Sequence, residues 1–369
     1  MKKSLIAIAA AAMVLSGCAG QKKSYGPLVK IAPYLYEITY SDMDETLLDA
    51  VEEIDAKAAC SSVRNGSFHG RNLDLFYNEG CEVVVKMEAG PDRFASVGVC
   101  GGNPEFTAER LAQGNEADFA KLPLLTLDGI NEKGVAVNVN VVPACDHPSC
   151  SGTNPGARRI HIGTAPRYIL NHAASAADAL ELLRNLDMHG GFGGDFNLHL
   201  MISDPTETYI VEFIDNRICV RRGGRSDDGN IMTNLFSTLL PEITPHAEGI
   251  ERYDIIKENY AEGCTEEGMT TLMQRVRYTK SYESATDPFW YSEFYGVFPR
   301  EDGSVLDVNV NTPAEEVIES IKNVLEAYQR HERKGEFWQT VNTSIYNVDE
   351  RSLLLFVQED YEHPYRFSI

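Results

Sequence analysis

The chain has 369 residues, 43% of them hydrophobic, enough to bury one large core or two modest ones. Its 55 acidic residues against 33 basic ones leave a net charge of -22, which argues against a nucleic-acid partner, because phosphate contacts require a basic face. No long run of like charge occurs, so the acidity reads as a solvated surface.

Residues 1–17 read as an export signal. Lys2 and Lys3 precede an apolar run from Leu5 to Leu15 that is too short to span a bilayer as a mature helix. The run ends in "LSGC", the pattern of a bacterial lipobox. Cys18 is therefore expected to carry lipid and to tether an extracytoplasmic, membrane-anchored lipoprotein; an ordinary signal peptide with an incidental cysteine is the plainer alternative. Residues 18–59 follow as a tether, polar to about residue 30. Within it, "SDMDETLLDAVEEIDAK" sets Met43, Leu47, Val51 and Ile54 on one helical stripe, with Ser41 as N-cap and acids in the first turn. A short amphipathic helix of this kind must dock on something.

Strands are predicted for some eighty residues from Cys60. "RNGS" is a two-residue hairpin signal, because Asn-Gly suits the type I′ turn. With Asn65 and Gly66 in the loop, Cys60 lies opposite Arg71, whose guanidinium favours the thiolate. Strict alternation puts Asp74 on the other face unless the strand bulges near Asn72. "CEVVVKM" and "FASVGVC" read as a second hairpin around "AGPD", with Cys81 and Cys100 equidistant from its centre and expected to form a disulfide. "GVAVNVNVV" is a further strand. Cys145 and Cys150 in "CDHPSC" close a small loop or, with His147, sit at a zinc site for which no fourth ligand is evident.

Between about 164 and 187, "SAADALELLRNL" and its flanks read as helix, and "NLHLMISD", "TYIVEF" and "ICVRR" as three strands. "HGGFGGDF" lacks a P-loop lysine and reads as a loop, while "YESATDPFWYSEF" is aromatic enough for an apolar pocket or for core. From Pro313, "PAEEVIESIKNVLEAYQRHERK" is a predicted helix with Thr312 and Glu315 as its capping box. "NTSIYNV" and "SLLLFVQ" close the chain as strands. The order implies an α+β fold of antiparallel sheets covered by helices, in one catalytic domain over 60–369.

Eight cysteines stand at 18, 60, 81, 100, 145, 150, 219 and 264; setting aside Cys18 and Cys60 leaves an even number to pair. A nucleophilic Cys60 needs a base. His69, on the same predicted face, is one candidate. The other is the cysteine's own α-amine, freed by a cut between Ala59 and Cys60, with a pKa near 7.7–8 that suits thiol deprotonation.

"CSSVRNGSFHGRNLD" resembles the mature start of cysteine-type amino-terminal nucleophile hydrolases, the choloylglycine hydrolase superfamily. That group includes bile salt hydrolases, penicillin V acylases, acid ceramidase and N-acylethanolamine acid amidase. "GINEKGVAVNVNVV", "NLHLMISDPTETYIVEF", "IMTN", "IERYD" and "TSIYNVDERSLLLF" continue the resemblance in order over most of the chain. The resemblance implies a four-layer αββα sandwich of two antiparallel sheets. It also implies Cys60 as nucleophile with Arg71 and Asp74 beside it, Asn234 as an oxyanion donor and Arg252 tying the site together. Asn140 is the match for a further polar residue, with Asn138 on the same strand face as rival. No metal or organic cofactor is implied.

The long segment before Cys60 and the motif "RNLD" look more like the N-acylethanolamine acid amidase and acid ceramidase branch, in which self-cleavage releases a pro-segment. A small-molecule, long-chain N-acyl amide is the expected substrate, and the pro-segment, lipidated at Cys18, is expected to stay bound as a non-covalent subunit. Conjugated bile salts or penicillin V are the alternative substrates. N-acyl transfer is an alternative reaction, and a non-catalytic binding lipoprotein on the same scaffold an alternative class.

Overall fold

The computed structural model describes residues 24–49, 58–76, 80–101, 106–142, 149–191, 197–238, 249–278, 280–281, 296–299, 305–308 and 336–369, together with 313 and 316. The export signal, Cys18, Val51, Ile54, Cys145, His147, the aromatic segment from Tyr282 and nearly all of the helix expected from Pro313 lie outside the described residues.

In chain order, β1 (Val29–Ala32) and β2 (Leu35–Tyr40) precede the hairpin of β3 (Ala58–Asn65) and β4 (Phe68–Phe76). β5 (Glu82–Met87) and β6 (Ser96–Cys100) lead to helices α1 (Ala108–Gln113) and α2 (Glu116–Lys121), then β7 (Asp128–Asn131) and β8 (Ala136–Val142). β9 (Arg159–His161), α3 (Ala165–His172), α4 (Ala176–Arg184) and β10 (Asp187–His189) follow. Next come β11 (Asn197–Ser203), β12 (Glu207–Ile214), β13 (Arg217–Gly224), β14 (Ile231–Met232), α5 (Ile250–Glu258) and α6 (Glu266–Arg275). The short β15 (Lys280–Ser281), β16 (Gly296–Pro299) and β17 (Val305–Val308) precede the closing β18 (Glu336–Asn347), β19 (Ser352–Val357) and β20 (Tyr365–Ser368).

Two sheets dominate. One has the order β1-β2-β5-β6-β7-β8-β11-β12-β13; the other runs β14-β3-β4-β18-β19-β20, with β15 also on β18. Every pairing in them is antiparallel except β2 with β5, which is parallel. Alternation along the strands builds the layers. On β8, Val137, Val139 and Val141 pack with Ile169 and Leu170 of α3 and Ala179 and Leu183 of α4, while Asn138 and Asn140 take the opposite face. The second sheet sends Val63, Ile345 and Leu354 against Tyr253 and Ile256 of α5 and Met269 and Met273 of α6. The fold is α+β, a four-layer αββα sandwich, as the resemblance implied. Between the sheets one end is apolar, where Val84, Val99 and Ile130 meet Leu353, Leu355 and Phe367. The other end is polar and holds the candidate site.

Several elements depart from the sequence reading. α1 and α2 interrupt what was expected to be continuous strand, and β1 begins inside the supposed polar tether, at Val29. The stretch expected to start an amphipathic α-helix is, where described, a 3-10 turn over Glu45–Asp49. It buries Leu48 completely, with Met43 and Leu47 only partly covered at the edge of the same cluster.

The expected disulfide is absent. Cys81 and Cys100 are both free thiols, as is Cys150. The register explains the first pair: Cys100 lies opposite Val83, leaving Cys81 two residues beyond, where its N–H donates to the Phe106 carbonyl. Both thiols lie in the apolar cluster with Phe106, Leu111 and Phe119, under α1 and α2.

Candidate active site

The hairpin that carries Cys60 turns later than expected. Asn65 pairs with Phe68, so Gly66 and Ser67 form the loop and only Gly66 takes a positive φ, of 59°. That is the glycine-first kind of two-residue loop. The Asn65 side chain is held in the strand by donating to the Tyr260 carbonyl at 2.8 Å. Cys60 consequently faces Leu73 rather than Arg71. The slip is by two residues on the partner strand, so every side chain keeps its face. Arg71 reaches Cys60 diagonally, with Nη2 3.6 Å from Sγ and 3.3 Å from the Val139 carbonyl. Its other side meets the buried Asp128 of β7 at 3.7 Å.

Asp74 stays on the opposite face, under α5. No bulge forms near Asn72; the irregularity lies in β18, where Val341 is the extra residue between Thr340 opposite Asp74 and Asn342 opposite Leu73. Thr340 Oγ1 then donates to Asp74 Oδ1 at 2.6 Å, and Arg252 Nη1 approaches Oδ2 at 3.5 Å.

The backbone of Cys60 is held in an unusual way. β14 pairs with β3 only at Val63 and Ser62, through Ile231 and Met232. Beyond Met232 side chains take over the ladder. The Cys60 N–H donates to Asn234 Oδ1 at 2.9 Å, and the Cys60 carbonyl accepts from Arg252 Nη1 at 2.6 Å. Arg252 Nη2 closes the clasp by donating to Asn234 Oδ1 at 2.6 Å, and Nη1 also donates to Ser61 Oγ at 2.9 Å. The guanidinium lies over the Tyr278 ring, 4.8 Å from its centroid.

Five of the six sequence candidates therefore converge: Cys60, Arg71, Asp74, Asn234 and Arg252. Asn234 does so differently from expectation. Its amide donates to the Val141 carbonyl at 2.7 Å and its oxygen takes the Cys60 N–H, so before any cleavage it grips backbone rather than presenting a free donor to an oxyanion. Asn140 sits one strand residue away: its amide donates to Ser62 Oγ at 3.0 Å and to the Met232 carbonyl at 3.3 Å. Asn138 shares that cluster, donating to Ser62 Oγ at 2.9 Å and Asn140 Oδ1 at 2.8 Å, with its oxygen on His69 Nε2 at 2.7 Å.

His69 is not placed to serve the thiol. Both ring nitrogens are engaged, by Asn138 and by Ser203 Oγ at 3.0 Å, and burial pushes its pKa down to about 3. The thiol is raised as well. Burial outweighs the pull of Arg71, so Cys60 is held above the ordinary thiol range rather than below it, with the Val141 N–H and Arg252 acting in the other direction. Burial likewise lifts the Asp74 carboxyl to about 7 against the opposing effects of Arg252 and Thr340. Burial thus favours the thiol over the thiolate at Cys60.

Thr340, Ser61, Asp128 and the Val141 backbone escaped the sequence reading. Thr340 was legible only through pairing of β18 with β4, a contact between residues far apart in sequence.

Residues 118–291 match the profile of the family described as acyl-coenzyme A:6-aminopenicillanic acid acyl-transferase. That span contains Asn138, Asn140, Asn234 and Arg252 and excludes Cys60. No curated protein matches the chain. Among solved structures, the chain is similar to a mutant of the conjugated bile acid hydrolase from Clostridium perfringens, at 14% identity and TM-score 0.42, over 84% of this chain and 92% of that one. It is also similar to penicillin V acylase from Agrobacterium tumefaciens, at 16% identity and TM-score 0.35, over 86% of this chain and 78% of that one.

Proposed function

We propose that the chain is an amino-terminal nucleophile hydrolase of the choloylglycine hydrolase superfamily that cleaves linear amide C–N bonds in N-acyl substrates with Cys60. The observation that carries this reading is the Asn234–Arg252 clasp. Two side chains hold the N–H and C=O of one residue where a strand has ended, and that residue bears a buried thiol beside a guanidinium. An ordinary strand edge needs no such device.

In the proposed self-cleavage, Sγ adds to the Ala59 carbonyl carbon, and the proton leaves sulfur for the departing nitrogen. The C–S bond forms, the C–N bond to Cys60 breaks, and the nitrogen becomes an α-amine. Water then splits the thioester into the Ala59 carboxylate and a free thiol. The new amine takes the thiol proton in each turnover, and a substrate amide passes through the same acyl-thioester sequence. The Val141 N–H is a backbone donor to the sulfur. A cationic amine forming near Asp74 favours the carboxylate, so Asp74 ionises when cleavage occurs.

The length of the segment before Cys60 and the motif "RNLD" favour long-chain N-acyl amides as substrates. The name of the matched profile supports a second reading, in which an amine rather than water accepts the acyl group. Residues before Cys60 are proposed to remain as a non-covalent subunit, joined to the membrane by lipid on Cys18. β2 lies beside β5 along its whole length, and Leu35, Ile38, Tyr40 and Leu48 are almost fully buried. At about 1.5–3 kcal/mol for each such side chain, their burial contributes several kcal/mol to retention.

The test is incubation of purified protein with N-acyl ethanolamines, conjugated bile salts and penicillin V side by side, each with and without a primary-amine acceptor, and with Cys60→Ala as control. Release of amine from an N-acyl substrate by the wild type alone supports the reading. Equal turnover by Cys60→Ala removes it.

A further inference from the structure

The loop that delivers Asn234 to Cys60 is itself held by two buried polar side chains from the other sheet. Glu212 on β12 and His199 on β11 are neighbours across the strand pair and are fully buried. Glu212 spends both carboxylate oxygens on the end of the loop: Oε1 accepts the Ser237 N–H at 2.5 Å, and Oε2 accepts the Thr238 N–H at 3.0 Å and the Thr238 hydroxyl. His199 holds the start of the loop. Its Nε2 is 2.8 Å from the Thr233 carbonyl, which can only accept, so Nε2 carries a proton; Nδ1 faces Glu212 Oε1 at 3.5 Å. Asn234 lies between these anchors, one residue after the first and three before the second. The far side of the loop is closed by Gly249, at φ 80°, where a Cβ would come within 2.8 Å of the Asn234 nitrogen.

We infer that His199 and Glu212 are positioning residues for the proposed reaction, fixing the Thr233–Thr238 loop so that Asn234 Oδ1 meets the Cys60 nitrogen. The inference rests on the functional reading above. A buried carboxylate is costly without partners, and every bond Glu212 makes to this loop accepts from it, so an amide of the same shape cannot replace it. One half of a glutamine there would set N–H against N–H. The loop would then shift, and a displacement of about 1 Å at a reacting centre can cost on the order of 10²-fold in rate.

The experiment compares Glu212→Gln, Glu212→Asp and, as a control on the same strand, Glu207→Gln, which weakens the ion pair with Arg222 and the bond to Tyr209 but touches nothing in the Asn234 loop. The readouts are the rate of self-cleavage, and kcat and KM on the best amide substrate. The expected result is a loss of about 10²-fold in cleavage rate and in kcat for Glu212→Gln at unchanged KM, with Glu212→Asp recovering part of it and Glu207→Gln like wild type. If Glu212→Gln fails to fold, Thr238→Val takes its place, because it keeps the carboxylate and its two backbone bonds; a smaller loss of the same kind supports the inference, and wild-type rates overturn it. A folded Glu212→Gln with wild-type cleavage and kcat also overturns it. Cys60→Ala, run alongside, separates the two failures: an active Cys60→Ala removes the functional reading itself, whereas an inert one beside an unimpaired Glu212→Gln removes only the positioning role.

Discussion

Two of the cysteine-bearing hairpins, β3–β4 and β5–β6, differ in a way that shows what turns a buried thiol into a candidate nucleophile. In the β5–β6 hairpin, Cys81 and Cys100 sit among Phe106, Leu111 and Phe119 under helices, with no cation in bonding contact among the described residues. Burial raises both, Cys81 to about 12, and Glu82 pushes in the same direction. In the β3–β4 hairpin, Cys60 is equally buried but faces the space between the sheets, with Arg71 at its sulfur and a clasp on its backbone. Burial alone makes a thiol inert. What distinguishes Cys60 is the guanidinium at its sulfur and the side-chain clasp on its backbone.

The comparison is broken most severely at the thiols themselves. Cys60→Ala is expected to abolish both self-cleavage and amide turnover, while Cys100→Ala keeps both and loses only packing, on the order of 1 kcal/mol. Time courses of processing on a denaturing gel, with turnover assays beside them, check this. Next in size is the clasp: Asn234→Ala leaves the Cys60 N–H without its acceptor and is expected to slow self-cleavage by about 10²-fold. The same change is expected to leave Cys81 and Cys100 alkylation untouched.

A subtler difference is electrostatic. With the Asp74 pKa raised to about 7 from 3.8, the folded uncut chain binds a proton that the unfolded chain releases between those values. That contribution favours folding at low pH and is lost as pH rises from about 4 to about 7. The depressed pKa of His69 acts in the opposite sense. Chemical denaturation of Cys60→Ala against Cys60→Ala/Asp74→Asn isolates the effect: the difference is expected to slope by up to about 1.4 kcal/mol per pH unit and to flatten above about pH 7. The smallest expected effect is redox. Cys81 and Cys100 are both expected to be labelled by a thiol reagent in denaturant without reductant; a linked peptide pair would restore the disulfide read from the sequence.

Much of this architecture was legible where it depends on local pattern. The alternation in "AVNVNVV" sorts valines from asparagines, and the structure keeps that sorting on β8. The Asn-Gly signal located the hairpin but not its register, because the Asn65 side chain bond to Tyr260, distant in sequence, moved the loop by one residue. The two-residue periodicity of strands made that error harmless for Arg71, whereas the disulfide depended on direct opposition of Cys81 and Cys100, which the separate register of β5 and β6 removes. Thr340, Glu212 and His199 were illegible for a common reason: each acts across sheets or strands far apart in sequence and looks ordinary in its own segment. The sign of the Cys60 shift was missed because a sequence displays the neighbouring arginine but not the depth of burial.

The central claim is tested most directly by intact-mass and amino-terminal sequencing of the purified wild-type chain. The account predicts a catalytic chain beginning at Cys60, absent from Cys60→Ala. Wild-type protein that runs unbroken through Ala59–Cys60 while turning over amides at full rate would contradict it.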